Sequence, residues 1–260
     1  MLKRANITVL GICLLTGLQS YGASLTREEG RGLLTLTYYY YTSNTYYDNS
    51  GNKFKTDRFH KHEMNLYLEY GLRNDLMLTF QTALDYLNQS GNNSFGIGDF
   101  ELGLQKRLYK NNDYVVSVKG TGIIPGFYNK NEKPYISLGK FGVELSLLTG
   151  VYENKFYIDN QIGYRKYQND VNFFRDVLMI GIKPVNNFEY IALFDFWYGL
   201  NGKPEGRFTI NPKQRFLQMY NIFRYKLSRR TSLVGGFSIN LYSRNTGAGN
   251  HIFVGVWQEF

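Results

Sequence analysis

The sequence predicts an all-β fold, a transmembrane antiparallel up-and-down β-barrel of about twelve strands, and three observations carry that expectation. From Arg31 to Phe260 the chain is a series of segments in which apolar and polar residues alternate. That period turns one face of each strand toward lipid and the other toward a lumen. The connections are alternately short and long, as in barrels with tight periplasmic turns at one rim and longer extracellular loops at the other. The last segment, His251 to Phe260, keeps the alternation through to a terminal aromatic, with Ile252, Val254, Val256 and Phe260 on one face.

The first residues read as a leader. Met1 to Arg4 is a short basic head, and Ile7 to Leu18 is an apolar core too short to span a bilayer as a helix. Small residues around Ser20 to Ala23 suit cleavage after Gly22 or Ala23, so residues 1–23 are expected to be a cleaved signal peptide and 24–260 a single barrel domain. Cys13, the chain's one cysteine, goes with the leader and leaves a mature protein without thiol chemistry. Loss of Lys3 and Arg4 lowers the formal net charge from +9 to +7.

The strands are expected at 31–42, 61–71, 75–87, 96–108, 113–124, 136–150, 155–167, 174–186, 188–200, 213–227, 231–243 and 250–260. Leu72 to Asp75, Tyr109 to Asp113, Tyr152 to Lys155, Asn186-Asn187 and Ser228 to Arg230 form the short polar turns, rich in the Asn and Asp that turns favour. The stretches 43–60, 88–95, 125–135, 168–173, 201–212 and 244–249 form the longer loops. Both termini then lie at the periplasmic rim.

One face of nearly every segment is almost free of charge. In the third it is Leu76, Leu78, Phe80, Leu84 and Tyr86; in the sixth Phe141, Val143, Leu145 and Leu147; in the ninth Phe188 to Tyr198 at every second residue. A soluble β-sandwich offers a similar count of strands, but its strands are usually shorter and lack the regular short-long alternation of connections. Composition fits the barrel. A mean hydropathy of -0.36 excludes a helical membrane protein, whereas a barrel exposes only alternate residues to lipid. The 23 Tyr and 19 Phe suit the two membrane interfaces, where amphipathic rings sit half in hydrocarbon.

Two stretches go beyond pattern. Glu69 to Leu78 resembles the strand-turn-strand core of the outer-membrane transporter family named for the meta-pathway of phenol degradation, and Gly96 to Leu108 resembles that family's following Gly-Asp strand. Gly30 to Tyr41 is similar to its first strand. The resemblance covers about the first third of the mature chain. It implies an outer-membrane barrel and the passage of small organic molecules, without fixing a substrate.

The chemistry sits on the face opposite the lipid band. By parity the inward residues are Glu63, Glu69, Asp75, Asp85, Asp99 and Glu101, then Arg107, Lys119, Lys140, Glu144, Asp159, Arg165, Arg175, Lys183 and Asp195. Acids dominate strands two to four and bases strands five to eight. In a water-filled lumen this arrangement makes a transverse field that selects solutes by charge. In a narrow lumen the same charges pair and plug it. Inward positions such as Ser146 are expected to accept a long cationic side chain. Phe260 is the expected signal for barrel-assembly machinery.

The leading expectation is an outer-membrane channel for small solutes, with lipid, assembly machinery and solute as partners and no cofactor, metal or nucleic acid. A narrow plugged barrel acting through its loops in adhesion or polysaccharide export is the alternative, and an outer-membrane lipid hydrolase is a third possibility. The three histidines give little basis for catalysis. His60 and His62 read as solvated loop residues and His251 as the start of the last strand, and no His-x-Ser-Asn-Gly motif is present.

Overall fold

The computed structural model describes residues 23–201 and 211–260. Most of them lie in strands: β1 (Gly32–Tyr47), β2 (Lys53–Arg73), β3 (Leu76–Gln89), β4 (Asn92–Ile97), β5 (Phe100–Lys110), β6 (Tyr114–Ile124), β7 (Gly142–Tyr152), β8 (Phe156–Tyr167), β9 (Asn172–Val185), β10 (Phe188–Asn201), β11 (Arg215–Lys226), β12 (Thr231–Arg244) and β13 (Thr246–Glu259). β4 pairs with the end of β3 at Leu84 to Gln89, and β5 pairs with its beginning at Leu76 to Gln81. The two are therefore halves of one stave, interrupted at Gly98-Asp99, and the cylinder has the twelve staves expected. Each stave runs antiparallel to its neighbour in sequence, and β1 pairs with β13 from Leu33↔Glu259 to Tyr47↔Thr246, which closes the ring.

Alternation decides which face each side chain takes. Along β7, Val143, Leu145 and Leu147 are exposed while Glu144, Ser146 and Leu148 are buried. An arginine at Leu145, near mid-strand on the outer face, is expected to cost about 2 to 4 kcal/mol of barrel stability. Urea unfolding of Leu145→Arg in liposomes, beside Leu145→Phe as a silent control, measures it. The inward neighbour does not have the room anticipated: Ser146 is buried, its Oγ donates to Glu144 Oε1 at 2.8 Å, and Gln161 Nε2 lies 3.2 Å away.

Apart from 88–95, expected as a loop but folded as the end of β3, a Ser90-Gly91 turn and the start of β4, the strands depart from expectation at four places, each for a physical reason. β2 begins at Lys53, well before residue 61, because this hairpin continues past the apolar band and its charged faces hide the alternation. β7 begins at Gly142 rather than 136, because Ile136 packs inward against Tyr41, Phe59 and Leu87 instead of joining a strand. Residues 246–250 form the start of β13 rather than a loop, and only Asn245 separates it from β12. The glycine at 249, which reads as a loop signal, is needed because a Cβ there would overlap the Thr42 carbonyl of the paired β1. The fourth departure is the break between β4 and β5. There Ile97 N–H donates to the Phe127 carbonyl at 2.9 Å, so the chain after β6 takes over as partner. The expected leader, up to residue 22, and most of the loop at 201–212 fall outside the described residues.

Candidate functional site: the barrel lumen

The lumen is filled from the rim of short turns by the segment that precedes β1. Ser24 is its anchor. Its N–H and Oγ both donate to Asp159 Oδ2 at 3.1 and 2.9 Å, and its carbonyl accepts from Ser117 Oγ at 2.5 Å. The Tyr152 hydroxyl bonds the same Asp159 oxygen, and Gln105 Nε2 donates to the Ala23 carbonyl at 2.9 Å. Four staves, β5 to β8, thus grip one turn of chain. Gly150 makes the space, since a Cβ there would overlap Ser24 Oγ, and Gly71 does the same for the Glu28 carbonyl. Arg27 Nε lies 2.7 Å from Glu69 Oε2, and Thr26 Oγ1 donates to the Asn74 carbonyl at 2.7 Å. The segment therefore crosses the lumen from β8 to the β2–β3 turn.

Further in, the charged side chains pair with one another. Arg165 is bidentate to Glu101 at 2.7 and 3.0 Å, and its Nε reaches Glu144 at 2.6 Å. Arg175 Nε meets Asp195 at 3.1 Å, and Trp197 Nε1 donates to the other oxygen of that carboxylate at 3.1 Å. Both guanidinium groups lie over the Trp197 ring, 5.2 and 4.8 Å from its centre, so cation–π attraction ties the two pairs together. Lys61 bridges Glu63 at 2.7 Å and Asp85 at 3.2 Å. Lys119 is buried beside this network, with no hydrogen bond or ion pair of its own among the described residues. The two opposed arcs expected from parity are thus joined into ion pairs, and acids also sit among the bases, at Glu144, Asp159 and Asp195.

Several expected residues sit elsewhere. Lys140 belongs to the loop before β7, not to a strand. Asp75 is in the exposed β2–β3 turn, where its bond to Lys106 holds the carboxyl below the usual range. Arg107 and Lys183 are partly exposed near the turn rim, Lys183 with its ammonium 5.7 Å from the centre of the Tyr157 ring. Asp99, at the β4–β5 break, accepts from Ser137 Oγ at 2.6 Å and so fixes the β6–β7 loop. Tyr128 bonds the same Ser137, and burial pushes its hydroxyl up to about 12.

The histidines are not loop residues. His60 and His62 project from the outer face of β2, where Nδ1 of each lies 2.7 Å from a tyrosine hydroxyl, Tyr40 for His60 and Tyr38 for His62. His251 is buried in the lumen, with Nδ1 2.9 Å from Ser238 Oγ.

Parity reasoning missed the apolar half of the lumen. Val177 and Met179 on β9, Ile191 and Leu193 on β10, Tyr220 and Ile222 on β11, Val234 on β12 and Phe253 on β13 form one buried cluster. Parity placed the outward set of these strands correctly, as at Phe188 to Tyr198, but the apolar residues between them carry no charge to mark them as lumen residues. A second apolar group closes the loop rim, where Ile136 packs on Tyr41, Phe59 and Leu87, with Tyr128, Tyr135 and Leu138 against them.

A closed twelve-stave cylinder with a lipid-facing band and a polar, partly apolar interior defines a transmembrane β-barrel of the outer-membrane type. The fold is shared with the COG4313 outer membrane channel from Pseudomonas putida F1, with a TM-score of 0.78 at 15% identity over 93% of this chain and 100% of that one. The NanC porin aligns with a TM-score of 0.58 at 9% identity, over 86% of this chain and 98% of that chain. The KdgM porin gives 0.52 at 9%, over 87% of this chain and 99% of that one. No family model and no curated protein sequence matches the chain.

Proposed function

We propose that this protein is a gated outer-membrane channel for small organic solutes, with its short turns in the periplasm and its long loops outside the cell. The observation that carries the reading is the mixed lumen, in which a buried cluster of aliphatic and aromatic side chains on β9–β13 lies alongside buried ion pairs such as Arg165–Glu101 and Arg175–Asp195. Such a lumen offers an amphipathic molecule an apolar surface for its body and hydrogen-bonding groups for its polar end, as small-molecule sites generally do. The likeness in fold to an outer membrane channel supports the class, and the sequence resemblance to the phenol-pathway transporters favours aromatic compounds among the solutes. The segment at 23–31 is the gate. Phe260 is the assembly signal, and outer-membrane lipid covers the apolar band. An adhesive role through the loops has less support, because the β6–β7 loop is folded into the barrel rather than displayed.

Flux into liposomes tests this. Small phenols and aromatic acids are expected to enter protein-loaded liposomes faster than sugars of equal size, and Leu193→Asp with Met179→Asp is expected to remove that preference. Uptake no faster than in empty liposomes, for both the intact chain and a variant lacking residues 24–30, would overturn the channel reading.

A further inference from the structure

At the turn rim the gate segment and the wall enclose a cavity of about 1020 Å³, partly open to the periplasm and the size of a small-molecule site. Its lining carries six cations, Arg27, Arg31, Arg107, Lys110, Arg229 and Arg230. Against them stand only Glu28 and Glu259 among the lining residues, and Glu259 already lies 3.3 Å from Arg224. Arg27 is paired with Glu69, but the other five have no side-chain ion pair among the described residues. Cations are thus gathered with too few carboxylates to balance them, in a concave space where their fields add. The lumen proper instead pairs most of the charges it buries, at Lys61, Arg165, Arg175 and Arg224.

The cations come from three separate parts of the chain. Arg27 and Arg31 belong to the segment before β1, Arg107 and Lys110 to the end of β5, and Arg229 and Arg230 to the turn between β11 and β12. β5 and β12 stand nearly opposite each other around the ring. A ligand with a single negative group satisfies one of these parts. One with two or more can touch the gate segment and the wall at once, through the forked guanidinium geometry that suits phosphate and carboxylate oxygens.

We propose that this periplasmic mouth is a binding site for a small multivalent anion, a polyphosphate or polycarboxylate, which fastens the gate segment to the barrel wall. The inference rests on the channel reading for its sidedness and for its meaning as regulation, but the binding itself is independent of any flux.

The test is isothermal titration of the full mature barrel in neutral detergent at low ionic strength, with pyrophosphate and citrate as probes and acetate as the monovalent control. Saturable one-to-one binding of a multivalent probe is expected, with acetate much weaker. Arg107→Gln with Arg230→Gln should weaken it by roughly tenfold per guanidinium removed, the usual scale for a charge-assisted contact. Added salt should weaken it further. Both positions are at the rim, so heat-modifiable migration should stay normal and separate loss of binding from loss of fold. Deleting residues 24–30 should also lower affinity, since it removes Arg27. Three outcomes overturn the proposal: no saturable heat with either probe, an affinity unchanged by both variants, or binding confined to anionic phospholipid vesicles. Failure of solute flux with intact anion binding would defeat the channel reading alone.

Discussion

Deletion of residues 24–30 is expected to raise single-channel conductance in planar bilayers severalfold, turning brief small openings into a sustained open level. The segment lies across the lumen, and what holds it is a short set of bonds centred on Ser24 and Asp159. Asp159→Ala, which removes the acceptor for the Ser24 N–H, the Ser24 hydroxyl and the Tyr152 hydroxyl together, is expected to give part of the same increase without shortening the chain. Replacing Tyr152 by Phe removes only one of the three partners and should give the smallest effect. Equal conductance for all four proteins would mean that the segment does not limit passage.

Arg165→Gln is expected to be the most destabilising single change in the lumen. Arg165 holds Glu101 and Glu144 together, and its own side chain is 3% exposed beside carboxylates at 12% and 2%. Its loss leaves two poorly solvated carboxylates close together. Removing one partner of a buried ion pair typically costs about 3 to 5 kcal/mol, most of it from the charge left behind. The companion variant Arg165→Gln, Glu101→Gln, Glu144→Gln removes all three charges and should recover most of that loss. Urea-induced unfolding in liposomes, followed by the fluorescence of Trp197 beneath the guanidinium, reads both. If the triple variant is no more stable than the single one, uncompensated charge is not the cause and side-chain packing is.

Much of this was readable before any coordinates. Period-two alternation placed Leu145 outward and Glu144 inward, because lipid and lumen impose opposite demands on neighbouring residues. Turn chemistry placed the breaks at Leu72 to Asp75 and at Asn186-Asn187. What stayed hidden lies where one rule covers two environments. The apolar residues of β9–β13 serve lipid on one side and lumen on the other, so parity assigns Phe194 to lipid but nothing marks Leu193 as lining the lumen. Ile136 and Leu138 alternate like a strand but belong to a loop folded inward. The partners of the inward charges were equally out of reach. Parity says that Arg165 and Glu101 face the same space, but only the curvature of the closed sheet brings β8 and β5 near enough for a bidentate pair. The gate segment left the weakest trace, since Ser24 and Ala23 are small residues whose importance depends on Gly150 and Asp159, far away in the chain.

The pairing of Leu33 with Glu259 has a consequence for how the protein is made. Every other ladder joins staves that follow one another in the chain, contacts that form quickly because little chain entropy is lost in closing them. The β1–β13 seam alone joins the two ends, so it is the slow step and comes last. Until then β1 and β13 are open edges, with unpaired backbone groups ready to add any passing strand. A chain cut short before β13 can form ten ladders among its eleven staves and still never become a barrel. Such a product belongs to the periplasmic proteases.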